Sequence, residues 1–218
     1  MLAWKQVDRT SVPDGGELKL MQRGDEFSIM SGATELMNSR RGGSEEQLAI
    51  LAAGRIGKRD GARILIGGLG MGFTLRAALA HFSAQCEIIV AELVPAVIAW
   101  AKGPLAGVHG ASLTSPRVIL YEGDVAPVIS HNGPFDAILL DVDNGPDGLS
   151  RPANDRLYDA KGLAAARAAL NPGGVLAIWS AAPDQRFVNR LRQTGLKVEE
   201  LRVRAGGARH IVWLAVKR

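Results

Sequence analysis

The stretch that decides the fold is Arg63-Ile-Leu-Ile-Gly-Gly-Leu-Gly-Met-Gly72, with Glu92 standing twenty residues beyond its last glycine. Arg63 to Ile66 is a short apolar strand. It runs into a glycine loop and then into a helical stretch reaching about Phe82. Gly68, Gly70 and Gly72 let the chain turn tightly and let a ligand approach the backbone closely. The last glycine comes after one intervening residue, Met71, where a dinucleotide fingerprint has two. The spacing therefore favours a nucleoside-type ligand over a pyrophosphate. No Gly-Lys-Ser/Thr follows, so a P-loop is excluded.

The same rhythm continues outward from this loop. Glu87 to Ala91 is a second strand ending at Glu92, and a helix opens at Pro95 and runs to Lys102. Arg117 to Tyr121 is a third strand, followed by Glu122-Gly-Asp124 and a short helix. Phe135 to Leu140 is a fourth, ending at Asp141. An alanine-rich helix spans Arg156 to Leu170 and stops at Asn171-Pro-Gly-Gly174. Val175 to Ser180 is a fifth strand, and Asp184 to Thr194 a helix. Leu196–Val203 and His210–Val216 close the chain as an antiparallel pair. Strands alternating with helices predict a mostly parallel α/β sheet of Rossmann-like type, with helices on both faces. In such a sheet the ligand sits at the carboxyl ends of the strands, near the switch in strand order. The glycine loop, Glu92, Asp124 and Asp141 all fall at those ends.

The first 43 residues read differently. Glu17–Met21 and Phe27–Met30 flank Arg23-Gly-Asp25 as a β-hairpin, with a third short strand near Thr34 to Met37. Ser44, with Gln47 three residues later, reads as a capping box that opens a helix to about Ile56. The expected division is a small N-terminal β-region at 1–43 and a nucleoside-binding catalytic domain at 44–218.

Each carboxylate has a structural role to weigh against a chemical one. Glu92 can accept hydrogen bonds from ribose hydroxyls. Asp124, after Gly123, can accept from an adenine amino group or cap the helix that follows. Asp141, beside an apolar strand, is placed to have a raised pKa and act as a general base. Asp143 and Asn144 share its loop and serve equally as a polar turn. His81, His109, His131 and His210 lack metal-ligand spacing and read as surface or loop residues, so no metal is expected. Cys86 reads as a small core residue, and Trp4 as a residue able to line a pocket. No Gly-x-Ser-x-Gly elbow is present, which disfavours an α/β-hydrolase.

The segments RILIGGLGMGFTLRAAL, IIVAELVPAVIAWAKG, RVILYEGDVAPVI, FDAILLDVDNGP and ALNPGGVLAIWS together resemble the spermidine synthase (polyamine aminopropyltransferase) family, within the class I AdoMet-dependent methyltransferase superfamily. The resemblance runs from about Glu17 to Ser180. It implies a seven-stranded methyltransferase sheet behind a small β-domain, and commonly a homodimer. It implies S-adenosylmethionine or decarboxylated S-adenosylmethionine as cofactor, held by Gly68, Gly70, Met71 and Gly72, with Glu92 on the ribose and Gly123 and Asp124 on adenine. Asp141 matches the acid that takes a proton from the attacking amine. Glu35, Glu45, Glu46, Asp143 and Asn144 stand on the substrate side. Three or four of these positions depart from the pattern, among them Glu35 and the Glu45-Glu46-Gln47 run, where the family has a glutamine and a run that includes a tyrosine. Met71 replaces an aspartate that holds the aminopropyl ammonium, and Asn144 replaces a second aspartate. Two reactions therefore remain open: aminopropyl transfer to a diamine or polyamine, and methyl transfer to a small acceptor.

Composition bounds the rest. The chain has 218 residues, 47% hydrophobic and 22% charged, with one cysteine. These values fit a globular protein without a disulfide framework. No apolar run is long enough to cross a bilayer, and MLAWKQVDRTS lacks a signal core, so a cytoplasmic protein with no membrane partner is expected. A net charge of +4 and a pI of about 9.5 invite a nucleic-acid reading. The basic surplus, however, lies late, from Arg186 to Arg218, without aromatic-basic interleaving. The carboxylates line up at the strand ends. An acidic site on a basic body suits a sulfonium and a small-molecule amine, and no nucleic-acid partner is expected.

Overall fold

The computed structural model describes residues 2–13, 16–40, 42–142, 156–205 and 207–218. Asp143 and Asn144 lie outside the described residues. Two sheets organise the chain. The first is a four-stranded antiparallel meander of β1 (Lys5–Ser11), β2 (Glu17–Arg23), β3 (Glu26–Ser31) and β4 (Thr34–Asn38). The second has seven strands in the order β10-β11-β9-β8-β5-β6-β7. Its members are β5 (Arg63–Gly67), β6 (Glu87–Glu92), β7 (Val118–Glu122), β8 (Phe135–Leu140), β9 (Leu170–Ser180), β10 (Lys197–Ala205) and β11 (Ala208–Val216). Strands β5 to β9 pair in parallel, while β11 runs antiparallel to both β9 and β10. This is the Rossmann-like sheet expected.

The apolar runs explain the layering. Successive side chains of a strand point to opposite faces. Ile64, Ile66, Ile88, Val90, Ala137 and Leu139 accordingly join one core cluster, while Leu65, Ile89, Ala91, Ile138 and Leu140 join another. Strand β8 is buried at all six positions. A parallel strand covered on both faces needs such a continuous apolar run. The first face is covered by α1 (Gly43–Ile56), α2 (Phe73–His81) and α3 (Pro95–Lys102), and Leu18, Leu20, Phe27 and Ile29 of the N-terminal sheet join the same cluster. The second face carries α5 (Val125–His131), α6 (Ala160–Ala168) and α7 (Gln185–Gln193). A short helix, α4 (Ala106–His109), precedes β7. Among the described residues no helix is long and apolar enough to cross a membrane.

Several local expectations change. The N-terminal sheet gains β1, which the sequence reading lacked. Helix α1 is capped by Gly42 with no side-chain bond. Ser44 lies inside the helix and donates to the Glu45 carboxylate at 2.5 Å, so the capping box does not form. The alanine-rich helix α6 starts at its cap Asp159, which accepts from Gly162 N at 2.7 Å. Strand β9 begins at Leu170, five residues earlier than expected, and runs through Asn171-Pro-Gly-Gly174.

The strand order places the site. The chain builds β5, β6 and β7 toward one edge, then returns to lay β8 and β9 on the other side of β5. The switch point lies between β5 and β8, so the glycine loop after β5 and Asp141 after β8 are neighbours.

Candidate functional site

At this switch point lies a cavity of about 250 Å³, close to the lower end of ligand pockets, which run from roughly 300 Å³ upward. Its floor is the loop Gly68 to Gly72. Gly68 has φ +93°, and a Cβ there would overlap the Asp141 carbonyl oxygen, so the two strand ends approach backbone to backbone. Gly68 N donates to Ala91 O at 2.8 Å and Asp141 N to Gly67 O at 3.0 Å, which ties the loop to both neighbours. Gly72, at φ +73°, caps α2, and its missing side chain makes room for the His109 imidazole.

Glu92 is buried and spans the loop ends. Its Oε2 accepts from Leu69 N at 2.9 Å and its Oε1 from Val94 N at 2.9 Å. One carboxylate thus fixes the glycine loop against the start of α3. Gly123 N donates to Glu92 O at 2.9 Å, which brings the β7 end alongside. Asp124 caps α5 by accepting from Ala126 N at 2.9 Å, the structural role weighed for it above, and it also lines the cavity.

Asp141 lies on the opposite wall. Its Oδ2 accepts from the Thr74 hydroxyl at 2.6 Å. Burial pushes its carboxyl up to about 7, with the nearby Glu45 carboxylate adding to the rise and the Thr74 hydrogen bond opposing it. A carboxyl in that range exchanges its proton near neutrality, which is what a general base requires. Glu45, in the first turn of α1, also lines the cavity.

The remaining expected residues divide. Met71 is buried in the floor, 2% exposed. Glu46 does not line the cavity; its charge acts on Arg76. Glu35 accepts from Ser28 Oγ and from Asn38 Nδ2, each at 2.8 Å, and faces a second hollow shared with Trp4 on the N-terminal sheet. Four carboxylates, those of Glu45, Glu92, Asp124 and Asp141, therefore meet around one cavity. No lysine or arginine stands among its described lining residues.

Several neighbours of the site escaped the sequence reading. Met37 and Leu36 of β4, with Leu18 and Ile29, close the cavity from the N-terminal sheet, and Met37 Sδ would lie 2.9 Å from a Cβ on Gly70. Trp179 lines the far side and stacks on His210 at 5.2 Å. His109, expected at the surface, is buried at 1% exposure, and its pKa falls to about 4 through burial and the adjacent Arg76. Arg76 Nη1 donates to Met71 O at 2.9 Å and Val108 O at 2.8 Å, bracing the loop against α4. Thr74 carried a readable signal, a polar residue in the first turn after a glycine loop. The burial of His109 carried none, because the imidazole fills space that only the fold creates. Among the described residues no group of three or more His, Cys, Asp or Glu side chains is arranged to hold a metal ion.

The chain matches no protein-family model. Over 151 residues it is 32% identical to the polyamine aminopropyltransferases of two Mycobacterium tuberculosis strains and of Mycobacterium bovis. Each match covers 64% of the chain, and the chain spans 28% of the length of these relatives. A spermidine synthase in complex with the transition state analogue AdoDATO superposes with a TM-score of 0.75 at 17% identity, covering 98% of this chain and 73% of that one. The spermidine synthase from Thermotoga maritima gives 0.77 at 16%, with the same coverage. A precorrin-6y C5,15-methyltransferase from Geobacter metallireducens gives 0.58 at 16%, covering 79% of this chain and 88% of that one. The chain is thus similar in sequence to polyamine aminopropyltransferases and shares the class I methyltransferase-like fold with spermidine synthases.

Proposed function

We propose that the chain is a transferase that binds a sulfonium nucleoside, decarboxylated S-adenosylmethionine or S-adenosylmethionine, and transfers a group from it to a small-molecule amine. The observation that carries this reading is the cavity at the switch point, with four carboxylates on its walls and no cationic side chain among its described lining. A phosphate-bearing ligand would meet only repulsion there, whereas a sulfonium and an amine are both drawn to it. The similarity to polyamine aminopropyltransferases supports aminopropyl transfer to a diamine or polyamine.

Each residue has a part in this reading. Gly68, Gly70, Met71 and Gly72 bring backbone against the nucleoside. Glu92 accepts from the ribose, with its grip on Leu69 N and Val94 N holding it in place. Gly123 and Asp124 receive the adenine. The bound sulfonium supplies an electrophilic carbon. Asp141 takes the proton from the amine, so the nitrogen lone pair is free to attack. Alignment of the two partners supplies much of the remaining acceleration. Glu45 lies on the acceptor side, and Glu35 and Glu46 stand further out; Asp143 and Asn144, expected on the acceptor side, lie outside the described residues. A homodimer in the cytoplasm is the expected setting.

A second reading rests on Met71. A thioether buried in the loop floor cannot pair with an aminopropyl ammonium, which favours methyl transfer from S-adenosylmethionine to a small acceptor. Calorimetric titration with decarboxylated S-adenosylmethionine, S-adenosylmethionine, methylthioadenosine and NAD separates these readings. Tighter binding of the decarboxylated form supports aminopropyl transfer, and the reverse order supports methyl transfer. Binding of NAD with none of the sulfur nucleosides overturns both.

A further inference from the structure

We infer that Thr74 is a positioning residue for Asp141: its hydroxyl pins one carboxylate oxygen and leaves the other to the acceptor. This rests on the reading of Asp141 as the base.

The geometry is a three-point contact within the protein interior. Thr74, 3% exposed, sits in the first turn of α2, directly after the glycine loop. Its Oγ1 lies 2.6 Å from Asp141 Oδ2 and 3.2 Å from the backbone oxygen of Glu45. A hydroxyl has one proton, and both of these neighbours are acceptors when Asp141 is ionised. The shorter, charge-assisted bond to Oδ2 then takes the proton. A proton taken up on the other oxygen, Oδ1, leaves Oδ2 accepting from Thr74, more weakly because the acid is then neutral. Among the described residues no hydrogen bond engages Asp141 Oδ1, so that oxygen is the one left for an acceptor.

The surrounding charges make Thr74 the stabilising partner of the ionised form. From α1, the Glu45 carboxylate opposes ionisation, while Glu46 acts on Arg76. From α2, Arg76 is directed at Met71 O and Val108 O. From β6, Glu92 is held by Leu69 N and Val94 N, and Asp124 caps α5. His109 lies behind Gly72 and is neutral near pH 7. Asp143 lies outside the described residues. Thr74 and Glu45 thus act on the base in opposite directions from adjacent helices.

The test is an NMR titration of the full chain carrying 13Cγ-labelled aspartate, with the Asp141 signal assigned by its loss in Asp141→Asn. Thr74→Val removes the donor and keeps the shape; it should raise the Asp141 midpoint by about one pH unit, the size of a hydrogen bond to a charged group. Thr74→Ser should restore the midpoint, and Glu45→Gln should lower it. If Thr74→Val does not fold, Thr74→Ala replaces it with the same expectation. An unchanged midpoint in the hydroxyl-free variant overturns the inference. So does an equal shift in Thr74→Ser, because that is the signature of packing. Methylthioadenosine titration of the unaltered chain is the separate check on the donor reading, and its failure leaves the Thr74 result interpretable.

Discussion

Replacing Asp141 by asparagine should stabilise the protein at alkaline pH while abolishing turnover. Burial and the Glu45 carboxylate raise the Asp141 carboxyl from 3.8 to about 7. Between those two values the folded chain holds a proton that the unfolded chain has released. Stability therefore falls as pH rises through that window and is lowest above about pH 7. A gap of about three pH units, at about 1.4 kcal/mol each, sets a ceiling on the order of 4 kcal/mol. Asparagine keeps an oxygen for the Thr74 hydroxyl and carries no charge, so it escapes the penalty. For a chain of this size that ceiling corresponds to a melting shift on the order of 10 °C. The assay is a pair of thermal melts, unaltered chain and Asp141→Asn, at pH 4, 5, 6, 7 and 8. The difference in melting temperature should be near zero at pH 4, grow through the window, and level off above pH 7. Taking the difference cancels every other titrating group. A difference that is constant with pH, or that favours the unaltered chain increasingly at pH 8, refutes the assignment of a neutral buried acid.

Four further expectations follow from the same geometry. Gly68→Ala should cost roughly 1–3 kcal/mol in urea unfolding, because φ +93° is foreign to alanine and the new methyl meets a backbone carbonyl. Gly70→Ala, at φ +48° and facing only the flexible Met37 thioether, should cost about 1 kcal/mol, and the reverse ranking would contradict the loop geometry. Glu92→Gln turns an amide group toward Leu69 N or Val94 N; it should lose roughly 1–3 kcal/mol of stability and weaken methylthioadenosine binding, and unchanged affinity would remove the ribose role. Asp136→Asn should destabilise most near neutral pH, by roughly 1–3 kcal/mol. Although burial opposes it, the Asp136 carboxyl is held below its usual range by Arg63 N, Arg59 and Asn171. Its contribution is therefore present above about pH 4 and lost as pH falls further, so melts that converge with the unaltered chain at low pH would bear this out.

The sheet and its site edge were legible because they are built from short-range pattern. The apolar runs of β5, β6 and β8 have no other use than a strand buried on both faces. The acids that end them are then forced to the carboxyl edge. Asp124 was legible as a cap, since it accepts from a backbone amide two residues on. Strand β1 was not legible. Six of its seven residues are exposed, and it pairs only with β2, so no alternation marks it. The start of β9 was hidden by Asn171-Pro-Gly-Gly174, a turn composition that the edge of the β8 pairing absorbs with a shift of register. The wall formed by Met37, Leu36 and Leu18 depends on how the N-terminal sheet seats on the glycine loop. That is tertiary information, and the same holds for Glu35, whose carboxylate is claimed by Ser28 and Asn38 on its own sheet.

One aspartate lies inside strand β8 and another just beyond it, and their surroundings contrast. Asp136 lies near its beginning and Asp141 just past its end. Asp136 is buried and Asp141 half-buried, and desolvation pushes both upward. At Asp136 a backbone amide, an amide side chain and the Arg59 guanidinium converge and reverse the shift. At Asp141 one threonine hydroxyl faces a second carboxylate, and the shift stands. A fold selected only to be stable would supply Asp141 with a cation or replace it by an apolar residue. Retaining it beside Glu45 lowers stability above neutral pH, at the strand edge where parallel sheets bind ligands. Such an arrangement keeps a proton exchangeable near neutrality, which the proposed role of a general base requires.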